Sequence, residues 1–278
     1  MRTVCEAIWR QLGPLVKTEP SEDVWKSSTS KIQVLWHFPN CLASISVKHV
    51  SVQCPISGGS LYFNDKEFHS TVLLALVDAE YKFLAVDVDS YGKNSDGNVF
   101  SKSMIGKKLE TGTLNVPPNT PLVENAVPVT YVIVGDEVFP LKTYLLRPYS
   151  KHHQGGDKSK KIYNCRLSRA QRVVENVFGI LTSHWRVFRG LLEVQPETVD
   201  KVVLAYCCLH NMLCKECNPP DEIELLCPRT SGPQNLQQLK RNTPREDVRD
   251  YYKDYFNLPV GSLPWQLAIV HLGRLHSP

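Results

Sequence analysis

No stretch of this 278-residue chain approaches the roughly 20 consecutive apolar residues that a membrane-spanning helix needs. The opening Met1-Arg2-Thr3-Val4-Cys5 also lacks the apolar run of a secretory signal. The expectation is an intracellular protein whose nine cysteines stay reduced. Strong charge is missing as well: 32 Lys and Arg against 28 Asp and Glu leave a formal +4, too mild by itself to identify a nucleic-acid binder. No internal repeat is present, which sets repeat architectures aside. A second Cys-x-x-Cys is absent too. Cys214 and Cys217 form the first, and His210 and Cys227 could complete four zinc ligands, but the spacing is loose. Cys207 and Cys208 lie in the apolar run Val202 to Leu213 and read as small core residues. His210, in the same run, reads as a buried, hydrogen-bonded packing residue.

What is present suits one sizeable α/β domain with appendages. The hydrophobic fraction of 42% is enough for a core and argues against wholesale disorder. Residues 1–30 read as helices: Val4, Ile8 and Leu12 share a face, and Ser21-Glu22-Asp23-Val24-Trp25 carries the cap and early acids of a helix start. Three strands follow, over Ile45 to Val52, Thr71 to Val77 and Phe83 to Val88, all rich in β-branched or large apolar residues. A turn over Tyr91 to Gly97 precedes a helix over Asn98 to Lys108. A Pro-rich connection then leads to a fourth strand, Thr130 to Val134. Past residue 218, Pro219-Pro220 and a polar stretch read as linker, and Tyr251, Tyr252, Tyr255 and Phe256 suggest a short helix that docks its aromatics on the core. The chain divides into a helical segment at 1–40, a central domain at 41–217 and a linker with C-terminal tail at 218–278. From pattern alone the class is α/β.

Two acids stand out. Asp136 follows an apolar strand at its carboxyl end, where α/β sheets present ligand-binding groups, and Gly135 precedes it where the backbone must open. Roughly 40 residues on, Val173, Val177, Ile180 and Leu181 recur at helical spacing, and Glu175 lies on a different face of that helix, one that can point at a strand end. Between them the chain is electropositive. Lys160 and Lys161 close a Gly-containing loop with Lys151 and Lys158, and Arg166, Arg169 and Arg172 follow at three-residue steps along one helix face. Such a stripe could track phosphates of a DNA strand; a solvated loop and helix face is the competing reading. Asp78, Asp87 and Asp89 read as turn or edge residues.

Several segments in one order carry a resemblance: Trp36-His37-Phe38-Pro39-Asn40-Cys41, His69-Ser70 through Asp78-Ala79, Gly92 to Asp96, Ile133 to Leu141, Tyr163 to Arg172 running into Glu175, Cys208-Leu209-His210-Asn211, and thinly Pro264-Trp265-Gln266. They resemble the DDE domain of PIF/Harbinger transposases and their domesticated nuclease-like relatives. The resemblance implies an RNase H-like mixed sheet flanked by helices. It also implies Asp136 and Glu175 as catalytic acids that hold a divalent cation, Mg²⁺ or Mn²⁺. It adds Asp96 as a further ligand, although Asp at such a turn commonly caps a helix instead.

DNA is the implied substrate, a Myb-like DNA-binding protein the implied partner, and the nucleus, with the cytoplasm as a further compartment, the implied location. The family's upstream helix-turn-helix-like region is expected to be lost or left out of this sequence.

One departure matters most. Where the family carries Asp-Gly-Lys-His on its first strand, this chain has Ser46-Val47-Lys48-His49. Ser46 is a weak neutral ligand where hard cations want anionic oxygen, and two-metal phosphoryl chemistry relies on carboxylates. Nearby, Asn64-Asp65-Lys66 replaces the family's Asn-Tyr-Lys run, and Asp65 is the candidate compensating charge. Two readings follow: a metal-dependent DNA endonuclease-like protein with impaired catalysis, or a non-catalytic DNA- or protein-binding relic.

Overall fold

The computed structural model describes residues 1–17, 20–56, 59–214 and 246–272. The N-terminal helices are α1 (Arg2–Leu12), α2 (Pro14–Lys17) and α3 (Glu22–Trp36). Strand β1 (Cys41–Ser51) and a helical turn α4 (Gly59–Tyr62) lead to β2 (Ser70–Val77) and β3 (Phe83–Tyr91). Helices α5 (Asp96–Lys102) and α6 (Met104–Glu110) precede β4 (Val132–Val134) and β5 (Leu145–Leu146). Then come α7 (Lys151–Gln154), the long α8 (Lys158–His184), a 3₁₀ turn (Arg186–Arg189), α9 (Pro196–Leu213), α10 (Glu246–Asn257) and α11 (Gln266–Leu272).

The strands form one five-stranded sheet in the order β3-β2-β1-β4-β5, with β1, β2 and β3 antiparallel and β4 parallel to both β1 and β5. Every residue of β2 is buried, as expected of a continuous apolar strand covered on both faces. One core cluster joins the sheet to α8 and α9, with Leu73, Val134, Val173 and Val203 among its members. The other lies on the opposite face with Trp25, Ile45, Ile133 and Phe100. This mixed sheet with helices on both faces is RNase H-like.

Local chemistry sets the boundaries. Ser21 Oγ accepts from Val24 N–H to start α3, whose Trp25 is fully buried and donates Nε1–H to Leu114 O at 3.1 Å. Asp157 accepts from the backbone of Ser159 and Lys160 to start α8. The helix then seats on β1 through two bonds, Ser44 Oγ to Ala170 O at 2.6 Å and Gln171 Nε2 to Ile45 O at 3.1 Å. The helix read over Asn98 to Lys108 is broken at Ser103. That hydroxyl donates to Phe100 O and accepts from Gly106 N–H, ending α5 and capping α6. A side chain at residue 106 would lie 2.0 Å from Phe100 O, so the junction requires glycine.

The tail is where sequence and structure diverge in interest. Helix α10 packs on α8 and buries Tyr252 and Phe256 completely, with Tyr252 stacked on Phe38 at a centroid distance of 5.3 Å and Phe256 edge-on to it at 5.1 Å. Burying each such ring is worth roughly 1.5–3 kcal/mol. The linker expected from 218 onward, up to residue 245, lies outside the described residues, as do Cys217 and Cys227 of the candidate zinc set.

Candidate active site

The site is built at the carboxyl end of β4. Gly135 N–H donates to Leu146 O at 2.9 Å, keeping the chain extended beside β5. A Cβ at residue 135 would meet Ile45 and Phe139 at 3.0 Å, so the backbone here passes too close to the core for a side chain. Asp136 then turns: its Oδ1 accepts from Val138 N–H at 3.1 Å, an Asx-type turn that orients the carboxylate. Burial raises its pKa above the ordinary carboxylate value, the Val138 N–H opposes that rise, and Glu137 adds to it.

Sheet register shows what Asp136 faces. Ser44 pairs with Val134 in the parallel β1·β4 ladder, so two residues on, Ser46 stands opposite Asp136. Ser44 bonds α8, and side chains alternate along a strand, so Ser46 points to the α8 face as well. Ser46 is 9% exposed and pairs with Ala75 on its other side. The position that carries the first acid in the resembling family thus lies two residues past the Ser44–Val134 pair, as Asp136 does on its own strand, and it is filled by a neutral hydroxyl.

Asp96 approaches from the opposite side. It is the first residue of α5, where the helix dipole favours an acid, while Ser95 occupies the cap position without a side-chain bond. Gly97 lies against the Asp136 turn, its would-be Cβ 3.5 Å from Val138 O and 3.8 Å from Pro140 Cδ. Burial first, and the Asp136 carboxylate second, raise the Asp96 pKa; Lys66 opposes the rise and Asp65 adds to it. The structure thus brings Asp96 and Asp136 together, with the Asp65–Lys66 loop beside them. Asp65 is itself exposed.

That loop is held by Asn64. Its Oδ1 accepts from Lys66 N–H at 2.9 Å and Phe68 N–H at 3.3 Å, and its Nδ2 donates to Ser70 Oγ at 2.9 Å, which also bonds His49 Nδ1 at 2.8 Å. Sequence reasoning singled out Asp65 in the Asn64-Asp65-Lys66 run, whereas Lys66 is the charge there that opposes the rise at Asp96. The available signal was Asn64, a buried side chain of the type that folds a turn on itself.

Glu175 is exposed on α8, one turn past Gln171, which bonds Ile45 O, and three residues before Phe178, whose ring lies 6.0 Å from Lys48 Nζ. Both anchors belong to the Ile45–Lys48 stretch and fix how this part of α8 lies on β1, while Glu175 itself is on the exposed side of the helix. It lines a shallow recess with Tyr81, Asn176 and Gly179. Among the described residues, no three His, Cys, Asp or Glu side chains converge closely enough to hold a metal ion. The donor set fits a divalent cation only in part: two neighbouring carboxylates, a hydroxyl in place of the third, and Glu175 not closed onto them.

The basic stripe needs correction. Arg166 is 3% exposed, and its guanidinium donates to Gly261 O and Gln266 Oε1, each at 3.0 Å, and to His37 O, while lying 4.3 Å over the Phe256 ring. Arg169 is partly buried with its guanidinium 5.0 Å from the Trp265 ring. These two side chains dock the C-terminal segment and do not face solvent along a DNA path. Lys160 bonds His153 O at 2.9 Å and lies 5.4 Å over Tyr149. Lys161 is half-buried, and of the three arginines Arg172 is the exposed one. His210 is fully buried, bonding Tyr81 O at 2.8 Å and Cys214 Sγ at 3.1 Å, in keeping with a packing role.

With this geometry in place, comparison with known proteins is decisive for the family. The model for the DDE superfamily endonuclease matches residues 45–211. The chain belongs to that family. The DDE superfamily segment thus runs from the Ile45-Ser46 pair of β1 to Asn211 of α9, and takes in Asp96, Asp136 and Glu175. "Protein ALP1-like" of Arabidopsis thaliana is 27% identical over 220 residues, covering 76% of this chain and 53% of the relative. "Putative nuclease HARBI1" of Rattus norvegicus and of Homo sapiens is 24% identical over 212 residues, covering 75% of this chain and 56% of each relative. The chain therefore spans about half the length of the curated relatives it matches. No solved structure matches it. Among the described residues no helix is long and apolar enough to cross a membrane.

Proposed function

We propose that the chain is a transposase-derived, DNA-directed endonuclease-like protein of the Harbinger type whose divalent-metal-dependent catalysis is impaired. The observation that carries this reading is the β1·β4 register, in which Ser44 pairs with Val134, so that Ser46 and Asp136 each follow two residues further along neighbouring segments. The catalytic acids of this reading are Asp136 and Glu175, and with Asp96 they would hold Mg²⁺ or Mn²⁺. A bound cation would activate water and absorb charge on the leaving oxygen of a phosphodiester. Asp136 is oriented for this by its turn, and Asp96 supplies a second anionic oxygen at its side. Ser46 offers no charge to complete the set. Losing about 3 kcal/mol of transition-state stabilisation with that ligand would slow cleavage about 150-fold. The same reading puts the protein in the nucleus, with DNA and a Myb-like DNA-binding protein as partners. The second reading, a non-catalytic DNA- or protein-binding relic, rests on the same hydroxyl.

Plasmid nicking in Mg²⁺ and in Mn²⁺ tests the proposal. The unaltered chain should nick very slowly, and Asp136→Asn should remove the residue of activity. Fast nicking by the unaltered chain that disappears in Asp136→Asn would overturn the impairment. Nicking that Asp136→Asn leaves untouched would remove this site from the chemistry.

A further inference from the structure

The turn that carries Asp136 projects past the end of the sheet. The ladder between β4 and β5 ends at the Val134–Leu146 pair and the bond from Gly135 N–H to Leu146 O. Beyond it, Glu137 and Val138 are exposed, whereas the Phe139 ring is fully buried. Among the described residues, the hydrogen bonds that tie residues 136–139 to another part of the chain both come from Arg147, the residue that follows β5. One of its nitrogens, Nη1, donates to Glu137 O and to Phe139 O, each at 3.0 Å. Arg147 is anchored in its turn: the buried Tyr163 of α8 donates its hydroxyl to Arg147 O at 3.3 Å.

These carbonyls are coupled to Asp136 by covalent geometry. A trans peptide unit points its C=O and its N–H in opposite directions, and Glu137 C=O and Val138 N–H belong to one such unit. Val138 N–H is the group that donates to Asp136 Oδ1, at 3.1 Å. Holding Glu137 O from one side therefore aims Val138 N–H at the carboxylate on the other. A charged donor on the carbonyl also polarises the whole chain of bonds. Phe139 C=O belongs to the unit that precedes Pro140, which has no N–H, so no backbone donor shares that unit and Arg147 supplies the partner. The guanidinium thus lies across a peptide group from the acid, where it steers the carboxylate without pairing with it.

We propose that Arg147 is a positioning residue for Asp136: through the Glu137–Val138 peptide it fixes the carboxylate in the orientation that receives a metal ion. This rests on the endonuclease reading above, since it takes Asp136 as a metal-holding acid. The orientation itself exists without metal and can be read without it.

The test is a pH titration of the Val138 amide by ¹H–¹⁵N NMR in EDTA, because that proton is bonded to the Asp136 carboxylate and follows its ionisation. The variants are Arg147→Met and Arg147→Lys. Lys142→Met is the control in the same part of the fold, since it breaks the Lys142–Glu110 pair and leaves the turn carbonyls alone. Arg147→Met should move the titration to higher pH, because the Val138 bond favours the ionised carboxylate and is loosened. Glu137 and Asp96, the acidic neighbours of Asp136, are the same in every variant. Both turn bonds leave one nitrogen, so the ammonium of Arg147→Lys should restore the titration at least in part. Lys142→Met should leave it in place. With Mn²⁺, followed by the EPR signal of the free ion, Arg147→Met should bind about tenfold to a hundredfold more weakly than the unaltered chain, the range typical for groups that orient a metal ligand. Should Arg147→Met not fold, Arg147→Gln, whose shorter side chain falls short of the carbonyls, gives the same comparison. A titration that Arg147→Met leaves where it was, or that Lys142→Met moves as far, overturns the positioning role. So does Arg147→Lys if it behaves as Arg147→Met does. Mn²⁺ that fails to bind the unaltered chain counts against the metal-dependent reading, and the EDTA titration still decides the role of Arg147.

Discussion

Restoring a carboxylate at the first-strand position should make this protein depend on Mg²⁺ for stability before it makes it a nuclease. In Ser46→Asp the new carboxylate would stand opposite Asp136 on the neighbouring strand, about 5 Å away. At an effective dielectric of about 20, two charges at that distance repel by about 3 kcal/mol, and the partial exposure of Asp136 reduces this to about 1–2 kcal/mol. For a chain of this size that corresponds to a fall of about 3–6 °C in the unfolding midpoint in EDTA. Mg²⁺ at about 100 times its dissociation constant should return about 2.7 kcal/mol. The unaltered chain, with its smaller anionic set, should respond less. Differential scanning fluorimetry in EDTA and in Mg²⁺ reads both effects, and plasmid nicking reads the chemistry. Val47 should be left in place, because its side chain packs into the core cluster on the opposite face. Glu175→Gln in the Ser46→Asp background should erase any gain in nicking while leaving most of the Mg²⁺ stabilisation. Equal midpoints with and without Mg²⁺ in Ser46→Asp would refute the proximity argument, since the added charge would then be near neither Asp136 nor Asp96.

Three further outcomes are expected. Arg166→Ala should cost about 3–5 kcal/mol in urea unfolding, because it leaves Gly261 O, His37 O and Gln266 without their buried donor, and it should expose α10 and α11 to limited proteolysis; an unaltered midpoint would sink the docking role. Burial, then Arg169 and Arg166, push the His37 pKa down to about 4 from 6.5, so the unfolded chain takes the proton first as pH falls. His37 therefore contributes stability that is present above pH 6.5 and declines toward about 4, on the order of 1–2 kcal/mol after allowance for its half-exposed ring; His37→Asn, which tolerates the φ of 58° at this helix end, should flatten that part of the profile. Gly135→Ala should destabilise by about 1–3 kcal/mol through overpacking against Ile45 and Phe139, measured by thermal unfolding, and no change would mean that the strand end is free to shift.

The sheet was legible where apolar runs were long. Thr71 to Val77 gave a strand almost to its ends, because a buried central strand needs a continuous apolar sequence, whereas the edge strand read over Phe83 to Val88 runs on to Tyr91. Strand β5, two residues long, carries no periodicity to read. Strand β1 begins at Cys41, four residues before the apparent alternation, because Cys41, Leu42 and Ala43 are buried across an irregular register with β4. At the site, Asp136 was readable from its strand end, whereas its partner on β1 depends on strand order, which no local pattern encodes. The arginine stripe misled for the same reason. Spacing put Arg166, Arg169 and Arg172 on one helix face, but what covers that face comes from residues about 95 to 100 positions later, Gly261 and Gln266. Asp96 as an isolated turn acid was ambiguous; the approach of Gly97 to Val138 and Pro140 sets it beside Asp136.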